Sequence, residues 1–233
     1  MNVQHYESYE ALSEAAADLV LKRLEGTHKR MLCAATGGSP TGMYAAMATR
    51  KHELSIANLT ILKLDEWYQL PMDLNGTCEV YLQQHVIKPL SIPMSNYISF
   101  DSMAPDPDVE CKRIQDAIAT QGAIDVCILG IGLNGHLALN EPAQQLEPGV
   151  HLGALAESSK SHPLISESDF TPTHGFTLGI GDILKARTIV LLVNGKKKKT
   201  IFSQLMDKKV STLLPASLLW LHPDAYCFYT DQD

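Results

Sequence analysis

Short apolar runs alternate with amphipathic segments along the chain, and this alternation limits what it can fold into. Strand-like runs occupy residues 31–35, 59–64, 124–129, 188–193 and 225–229. Helical spacing of apolar residues predicts helices after Ser8 and at residues 41–50, 78–87, 108–120, 196–206 and 216–221. Strands that alternate with helices predict an α/β fold, with an open, mostly parallel sheet covered by helices on both faces, as in a Rossmann-like three-layer sandwich.

Length and composition favour one enzyme-sized domain. The chain has 233 residues, of which 45% are hydrophobic and 19% charged, so we expect residues 1–233 to form a single domain. The net charge of -7 argues against a nucleic-acid partner. The sequence contains no apolar run long enough for a membrane span, and the first residues do not resemble a signal peptide.

The five cysteines are widely scattered and form no C-x-x-C motif. An odd number at such spacing is typical of buried thiols in a reducing compartment, so we expect a cytoplasmic protein without a disulfide or zinc framework.

Three predicted strand ends carry unusual residues, and the first is the small-residue loop from Thr36 to Thr41. Ligands of open α/β sheets bind outside the carboxyl ends of the strands. Backbone N–H groups at the start of the next helix can receive a phosphate, with hydroxyl donors from Ser39 and Thr41. A plain tight turn that uses Gly37 and Gly38 for their backbone angles explains the loop equally well.

The second strand end carries two adjacent carboxylates, Asp65 and Glu66. Partial burial raises the pKa of an acid just past a buried strand, which suits a general base near neutral pH. The pair alone is more often a helix cap or a surface turn.

The third strand end is a glycine-rich turn that precedes His136 and Glu141. Gly130, Gly132 and Gly135 spell G-x-G-x-x-G, but the motif lies mid-chain and Pro142 follows too soon for the helix of a dinucleotide site. Histidine moves protons near pH 7, and a nearby carboxylate fixes its tautomer. A structural histidine is the alternative, and the spacing is weak support for a metal site.

Four consecutive lysines, at positions 196–199, open a predicted helix where they oppose its dipole and one another. Most of these lysines are expected to lie on a solvent-exposed face of the helix. A bound anion would relieve the repulsion among them. By spacing, Lys198 is the predicted phosphate contact. The least regular stretch, residues 141–174, is a candidate lid or active-site loop.

Together these segments resemble a known family. The blocks T-G-G-S-P-T, L-D-E-W-Y, G-I-G-L-N-G-H-L-A-L-N-E-P and V-N-G-K-K-K-K follow in that order at successive strand ends, and the likeness covers nearly the whole chain. The sequence resembles the glucosamine-6-phosphate deaminase/isomerase family, with the galactosamine-6-phosphate subgroup as a nearby match. That resemblance implies conversion of a hexosamine 6-phosphate to a ketohexose 6-phosphate and ammonia, without a metal or organic cofactor.

The resemblance also implies roles for individual residues. Asp65 would be the base that moves the C2 proton to C1, and His136 would open the sugar ring while Glu141 and Asn134 orient it. The implied substrate contacts are Thr36, Gly37, Gly38, Ser39, Thr41, Glu66, Gly135, Lys160 and Lys198.

The sequence departs from the family at three points. Many members carry Asp where this chain has Asn134, which can still hold an imidazole by hydrogen bonding. The family's phosphate-binding arginine has no match, because no Arg lies between Arg113 and Arg187, and Lys160 or His162 would substitute. Longer members have a C-terminal extension that supports hexamers and allostery, so we expect a monomer or small homo-oligomer here.

Two other functions fit parts of the pattern. A 6-phosphogluconolactonase-type enzyme would share the glycine–histidine core and need His136 but not Asp65. A non-catalytic sugar-phosphate sensor would use the same pocket, but no helix-turn-helix segment precedes residue 30. In all three readings the partner is a small sugar phosphate.

Overall fold

A parallel sheet of seven strands forms the centre of the computed structural model, which describes residues 1–157 and 171–232. The strand order is β1-β10-β9-β6-β2-β3-β5. Its strands are β1 (Asn2–His5), β2 (Arg30–Ala34), β3 (Leu59–Lys63), β5 (Tyr97–Ile98), β6 (Val126–Gly130), β9 (Thr188–Asn194) and β10 (Ala225–Thr230). Every pair in this sheet is parallel, which confirms the predicted α/β class.

Helices connect and cover these strands, as the alternation predicts. They are α1 (Tyr9–Leu24), α2 (Gly38–Thr49), α3 (Cys78–Leu82), α4 (Lys88–Leu90), α5 (Pro107–Gln121), α6 (Ile180–Leu184) and α7 (Lys199–Met206). A π-helical turn at Gln83–Ile87 joins α3 to α4. The central strands are buried along their length because helices pack against the sheet, and the largest hydrophobic cluster extends through it.

A second sheet of three antiparallel strands was not predicted. It has the order β4-β8-β7, with β4 at Asp65–Trp67, β7 at His151–Ala154 and β8 at His174–Thr177. β7 lies within the irregular stretch of residues 141–174, and β8 begins at the last residue of that stretch. Residues 158–170 of the stretch lie outside the described residues, so the lid hypothesis stays a prediction.

The structure has 3-10 turns in both helices predicted near the carboxyl-terminal end of the chain. The lysine run does not open an α-helix: Lys196–Lys198 form a 3-10 turn, and α7 begins at Lys199. The predicted helix at residues 216–221 is present, as the 3-10 helix Pro215–Leu221.

The strand order brings the three unusual strand ends to one edge of the sheet. β9, β6, β2 and β3 are consecutive neighbours, and all four run in the same direction. Their carboxyl ends therefore lie side by side, and the loops that follow them can meet over one place.

Candidate active site

Asp65 lies just beyond the end of β3, at the first position of β4. Its backbone pairs in register with Thr177 on β8, and only 8% of the residue is exposed. Burial raises the pKa of Asp65 to about 7, and the neighbouring Glu66 charge adds to the rise. His136, a hydrogen bond from Cys78 and the Lys63 charge offset part of it. The carboxyl group is therefore able to take up and release a proton near neutral pH.

Glu66 points the other way, into the protein interior. It is 0% exposed, and its two oxygens accept hydrogen bonds from the backbone N–H groups of Trp67, Cys78 and Glu79 at 2.8–3.0 Å. Its Oε2 also lies 2.7 Å from Lys63 Nζ. Glu66 therefore anchors the start of α3, and its implied substrate contact stays a prediction.

A buried ionic network extends from Glu66 away from the pocket. Lys63 Nζ contacts Glu79 Oε2 at 2.8 Å, and Tyr97 and Ser99 donate hydroxyl hydrogen bonds to the same oxygen. Burial alone would lower the pKa of Lys63, but attraction to the two carboxylates outweighs it and raises that pKa. Lys63 is therefore held as a cation beneath the strand end that carries Asp65.

The second part of the site is a compact cluster of three side chains on the glycine-rich turn. His136 Nδ1 lies 3.2 Å from Glu141 Oε2, and the Asn134 amide donates to the same oxygen at 2.7 Å. The Asn134 carbonyl oxygen accepts from the His136 backbone N–H at 3.2 Å. With Nδ1 facing a carboxylate, the imidazole is oriented for proton transfer through Nε2. Asn134 thus hydrogen-bonds to the Glu141 carboxylate and the His136 backbone, and it reaches the imidazole through Glu141.

Two glycines of the turn are required by close packing. A Cβ atom on Gly132 would lie 2.4 Å from the His136 ring, so only glycine leaves room for the imidazole. Gly135 has φ +89, and a Cβ there would meet Leu214 at 2.3 Å. The Gly135 N–H donates to the Gly132 carbonyl, while its own carbonyl accepts from Ala216. The N–H and carbonyl groups of Gly135 are thus both used within the protein, and the implied substrate contact of Gly135 stays a prediction.

The loop from Thr36 to Thr41 leads directly into α2, whose N-terminus has no side-chain cap. Gly37 adopts φ +99 at the cap position, and Gly38 begins the helix. The backbone N–H groups of this first turn have no partners within the helix and carry its partial positive charge. This is the arrangement that receives a phosphate.

The hydroxyl groups of that loop are used inside the protein. Ser39 Oγ donates to Asn194 Oδ1 at 2.6 Å, which ties the loop to the end of β9. Thr41 Oγ1 donates to the Gly37 carbonyl at 3.0 Å and contacts the Tyr81 hydroxyl at 2.7 Å. In this geometry the two side chains shape the loop, and the expected hydroxyl donation to phosphate would require them to exchange partners.

Lys198 is brought to the pocket by the 3-10 turn after β9. Its Nζ donates to the Ile131 carbonyl at 2.5 Å, so the ammonium lies beside the glycine-rich turn. Burial lowers the pKa of Lys198. A cation in this position can pair with an anion bound at the same edge of the sheet. Lys160 and His162 lie outside the described residues, so their proposed substitution for the missing arginine stays a prediction.

A series of contacts through Cys78, Asn194 and Lys198 links the three strand ends. Thr36 Oγ1 lies 3.5 Å from Cys78 Sγ, and that sulfur lies 3.7 Å from Asp65 Oδ1. The hydrogen bonds from Ser39 and Lys198 connect the β9 end to the other two loops. The predicted residues Thr36, Asp65 and His136 therefore belong to one region, whereas Glu66 faces away from it.

Cys78 and Thr177 are residues of this region that the sequence analysis missed. Neither carries a motif: Cys78 lies 13 residues from Asp65, and Thr177 pairs with Asp65 from the distant strand β8. Only the tertiary fold could reveal them.

A separate surface cavity of about 660 Å³ lies along α3 and the π-helical turn. Its lining includes Met72, Asn75, Val80 and Gln84 but neither Asp65 nor His136. Because it lacks both groups, we place the chemistry at the strand ends. Among the described residues, no three His, Cys, Asp or Glu side chains cluster as metal ligands, and no helix there is long and apolar enough to cross a membrane.

Similarity to known proteins agrees with this geometry. The "Putative deaminase AgaI" of Escherichia coli (strain K12) is 40% identical over 227 residues, which cover 97% of this chain and 90% of the relative. The glucosamine-6-phosphate deaminase of Shouchella clausii (strain KSM-K16) is 33% identical over 231 residues, with 96% and 92% covered.

Solved structures give the same picture of the fold. A monomeric glucosamine-6-phosphate deaminase superposes with a TM-score of 0.90 at 30% identity, over 98% of this chain and 96% of that chain. The 6-phosphogluconolactonase of Thermotoga maritima superposes with a TM-score of 0.78 at 18% identity, over 100% and 99% of the two chains. The lactonase likeness supports the shared fold alone.

The sequence model of one family covers almost the entire chain. It matches residues 7–227, which include the carboxyl ends of β2, β3, β6 and β9. By this match and by the identity to its curated relatives, the chain belongs to the family of glucosamine-6-phosphate isomerases and 6-phosphogluconolactonases.

Proposed function

We propose that this protein is a hexosamine-6-phosphate deaminase/isomerase that converts galactosamine or glucosamine 6-phosphate to a ketohexose 6-phosphate and ammonia. The observation that carries the proposal is the buried carboxyl group of Asp65, with a pKa of about 7, in the same region as the His136–Glu141 pair. A lactone hydrolase would use His136 as its base and would not need Asp65 as a second one. The deaminase relatives support the same choice.

Ring opening is the first step, because C2 becomes acidic only beside an open-chain aldehyde. In the proposal, His136 removes the proton of the C1 hydroxyl and returns one to the ring oxygen. Glu141 lies against Nδ1 and stabilises the protonated imidazole that exists between the two transfers. Asn134 holds the Glu141 carboxylate in place.

Asp65 then acts on the open-chain sugar. As a carboxylate it takes the C2 proton while a proton of the substrate's ammonium group moves to the C1 oxygen, which gives an enolamine with a C1–C2 double bond, and it then returns the C2 proton to C1. The product of this transfer is an imine at C2. Water adds to the imine carbon and ammonia leaves, so the overall reaction consumes one water and releases a ketohexose 6-phosphate. Every step is a proton transfer or a hydration, so we propose that no metal or organic cofactor takes part.

The phosphate is the remote handle that places C2 over Asp65. We propose that it binds backbone N–H groups of the loop from Gly37 to Thr41, in which Pro40 has none to donate, and the ammonium of Lys198. The uncapped start of α2 and the Lys198 Nζ beside Ile131 support this assignment. A bound phosphate would also offset the burial that lowers the pKa of Lys198.

We propose further that residues 1–233 form one domain and that the protein works as a monomer or small homo-oligomer in the cytoplasm. The single seven-stranded sheet, which includes both β1 and β10, supports one domain. The monomeric deaminase of similar structure supports the small assembly. Five cysteines without disulfides support a reducing compartment.

The test is a set of three assays on the wild-type chain and the D65N variant. Ammonia and ketohexose 6-phosphate are measured with galactosamine 6-phosphate and with glucosamine 6-phosphate, and acid release is measured with 6-phosphogluconolactone. We expect turnover of at least one hexosamine 6-phosphate, and a loss of about 100-fold or more in D65N. Lactone hydrolysis that D65N retains, with no ammonia from either amino sugar, would identify a lactonase. Tight sugar-phosphate binding without any turnover would identify a sensor.

A further inference from the structure

Cys78 occupies an unusual place for a cysteine outside any motif. It is the first residue of α3, it is 3% exposed, and its thiol lies between two groups of the active-site region. Cys78 Sγ is 3.7 Å from Asp65 Oδ1 and 3.5 Å from Thr36 Oγ1. Both distances fall within hydrogen-bonding range for sulfur.

The thiol acts as a donor to the carboxylate. Burial raises the pKa of Cys78 well above its usual range, and the charges of Glu66 and Asp65 add to the rise, so the sulfur keeps its proton. A thiol has one proton to donate. When that proton is directed to Asp65, the Thr36 hydroxyl must be the donor of its own contact with the sulfur.

The backbone around Cys78 holds the thiol in this position. The Cys78 N–H donates to Glu66 Oε1 at 3.0 Å, and Thr77 caps α3 by accepting from the Val80 N–H at 3.2 Å. Glu66 is the sequence neighbour of Asp65 on β4. The residue next to the base therefore fixes the helix that presents the thiol to the base.

Other charged groups reach Asp65 from several directions without a direct hydrogen bond to its side chain. Glu66 is on its own strand, Lys63 is on β3, and His136 is on the glycine-rich turn, and each affects its pKa by charge. Among the side chains in the described part of the chain, only that of Cys78 hydrogen-bonds to the Asp65 carboxylate. It thus has a direct means of orienting that group.

We propose that Cys78 is a positioning residue for the base: its thiol donates to Oδ1 of Asp65, fixes the carboxylate orientation and leaves Oδ2 for the proton of the substrate. Through Thr36 the same sulfur couples the base to the phosphate-binding loop. This inference rests on the proposed deaminase function for its kinetic consequence, but the hydrogen bond itself exists independently of that function.

Two variants separate positioning from packing. C78A removes the donor, whereas C78S restores one in nearly the same place. C227A and C227S are matched controls, because Cys227 is a fully buried thiol on β10, away from Asp65. Each variant is studied as the full chain for ammonia release against pH, and for the carbon-13 shift of the Asp65 carboxyl group against pH.

A hydrogen bond to the charged form stabilises the carboxylate, so its removal makes Asp65 harder to ionise. We expect C78A to reduce kcat/KM roughly threefold to tenfold, mainly through kcat, and to move the acid limb and the carboxyl titration up by about half a pH unit. In C78S, the acid limb and the carboxyl titration should return to the wild-type pH or move to a lower pH. The two Cys227 variants should shift neither.

A role in packing alone predicts the opposite order. The C78A titration would then coincide with that of the wild type, and C78S would be less stable than C78A because it buries a hydroxyl group. That result overturns the inference even when the wild type releases ammonia. A wild type that releases no ammonia, with a carboxyl titration that still shifts in C78A, would overturn the proposed function and leave the hydrogen bond established.

Discussion

At the scale of single residues, the proposed chemistry depends on Asp65, whose pKa is raised by the fold. The sequence alone favours a helix cap or a surface turn at Asp65 and leaves a buried base with a raised pKa as the alternative, and the structure has that alternative. The roles of its neighbours were not predictable from the sequence. Adjacent carboxylates look alike in a sequence, but Asp65 faces the pocket while Glu66 faces Lys63 and the start of α3.

The raised pKa of Asp65 has a consequence for stability. The folded protein has a pKa of about 7 at this site, against an ordinary value of 3.8, so between these values the native state holds a proton that the unfolded chain has released. The contribution of Asp65 to stability therefore falls as the pH rises from about 4 to about 7. D65N has no such proton, so its free energy of unfolding relative to the wild type should rise over this window.

We expect D65N to be more stable than the wild type by about 1 to 3 kcal/mol above pH 7, with a smaller difference near pH 4. Urea unfolding of both proteins at several pH values measures the difference. A difference that does not change with pH would show that Asp65 ionises in the folded protein as easily as in the unfolded chain.

At the scale of elements, the strand ends were predictable and the second sheet was not. Buried parallel strands leave long apolar runs, which made β2, β3, β6, β9 and β10 visible in the sequence. By contrast, β4 has only three residues and pairs with β8 more than a hundred residues later. No local pattern signals a pairing of that kind, because it depends on long-range contacts.

The lysine run shows how tertiary contacts move a helix boundary. Gly195 turns the chain with φ +89 after β9, and the three lysines that follow form a 3-10 turn. Lys198 thereby reaches the Ile131 carbonyl on the neighbouring loop. The phosphate contact of Lys198 stays a prediction, and the position of the helix start could not be predicted from the lysine run alone.

The glycine-rich turn offers a test of its own. G132A places a methyl group within 2.4 Å of the His136 ring, so the imidazole must move away from Glu141. We expect ammonia release to fall by about 100-fold or more while the fold persists, because proton transfer depends on this orientation. G130A is the matched control, since a Cβ atom at Gly130 meets nothing within 4 Å. Equal activity of the two variants would contradict the assigned role of His136.

The docking of α3 by Glu66 is a second test at this scale. E66Q removes a fully buried charge that binds Lys63 and three backbone N–H groups, and it turns one acceptor oxygen into a donor. We expect the free energy of unfolding to fall by about 2 to 4 kcal/mol. E53Q is the control, because Glu53 pairs with Arg50 on the surface and should change stability much less. Similar losses in the two variants would refute the docking role.

At the scale of the whole molecule, the fold collects groups that are distant in the sequence. The order β9-β6-β2-β3 makes four loops neighbours, although their residues span positions 36 to 198. The alternation of strands and helices predicted the fold class, while the strand order itself leaves no mark on the sequence. The convergence of the loops could therefore be predicted from the fold class but not demonstrated until the order was known.

A single domain should unfold as one unit. Trp67 lies on the small sheet and Trp220 on the 3-10 helix before β10, so each reports on a different part of the chain. The variants W67F and W220F each keep one tryptophan. For each variant, we expect the urea midpoint measured by fluorescence to equal the midpoint measured by circular dichroism on the same variant. Two separated transitions would indicate that the small sheet unfolds independently.

The central claim is that Asp65 removes the proton from C2 of the sugar. The most direct measurement is the rate at which deuterium is lost from C2 of a hexosamine 6-phosphate labelled there, followed by NMR with the wild type and D65N under the same conditions. The account predicts loss of the label with the wild type and a rate lower by about 100-fold or more with D65N. Loss at equal rates with both proteins would contradict it, because another group would then be the base.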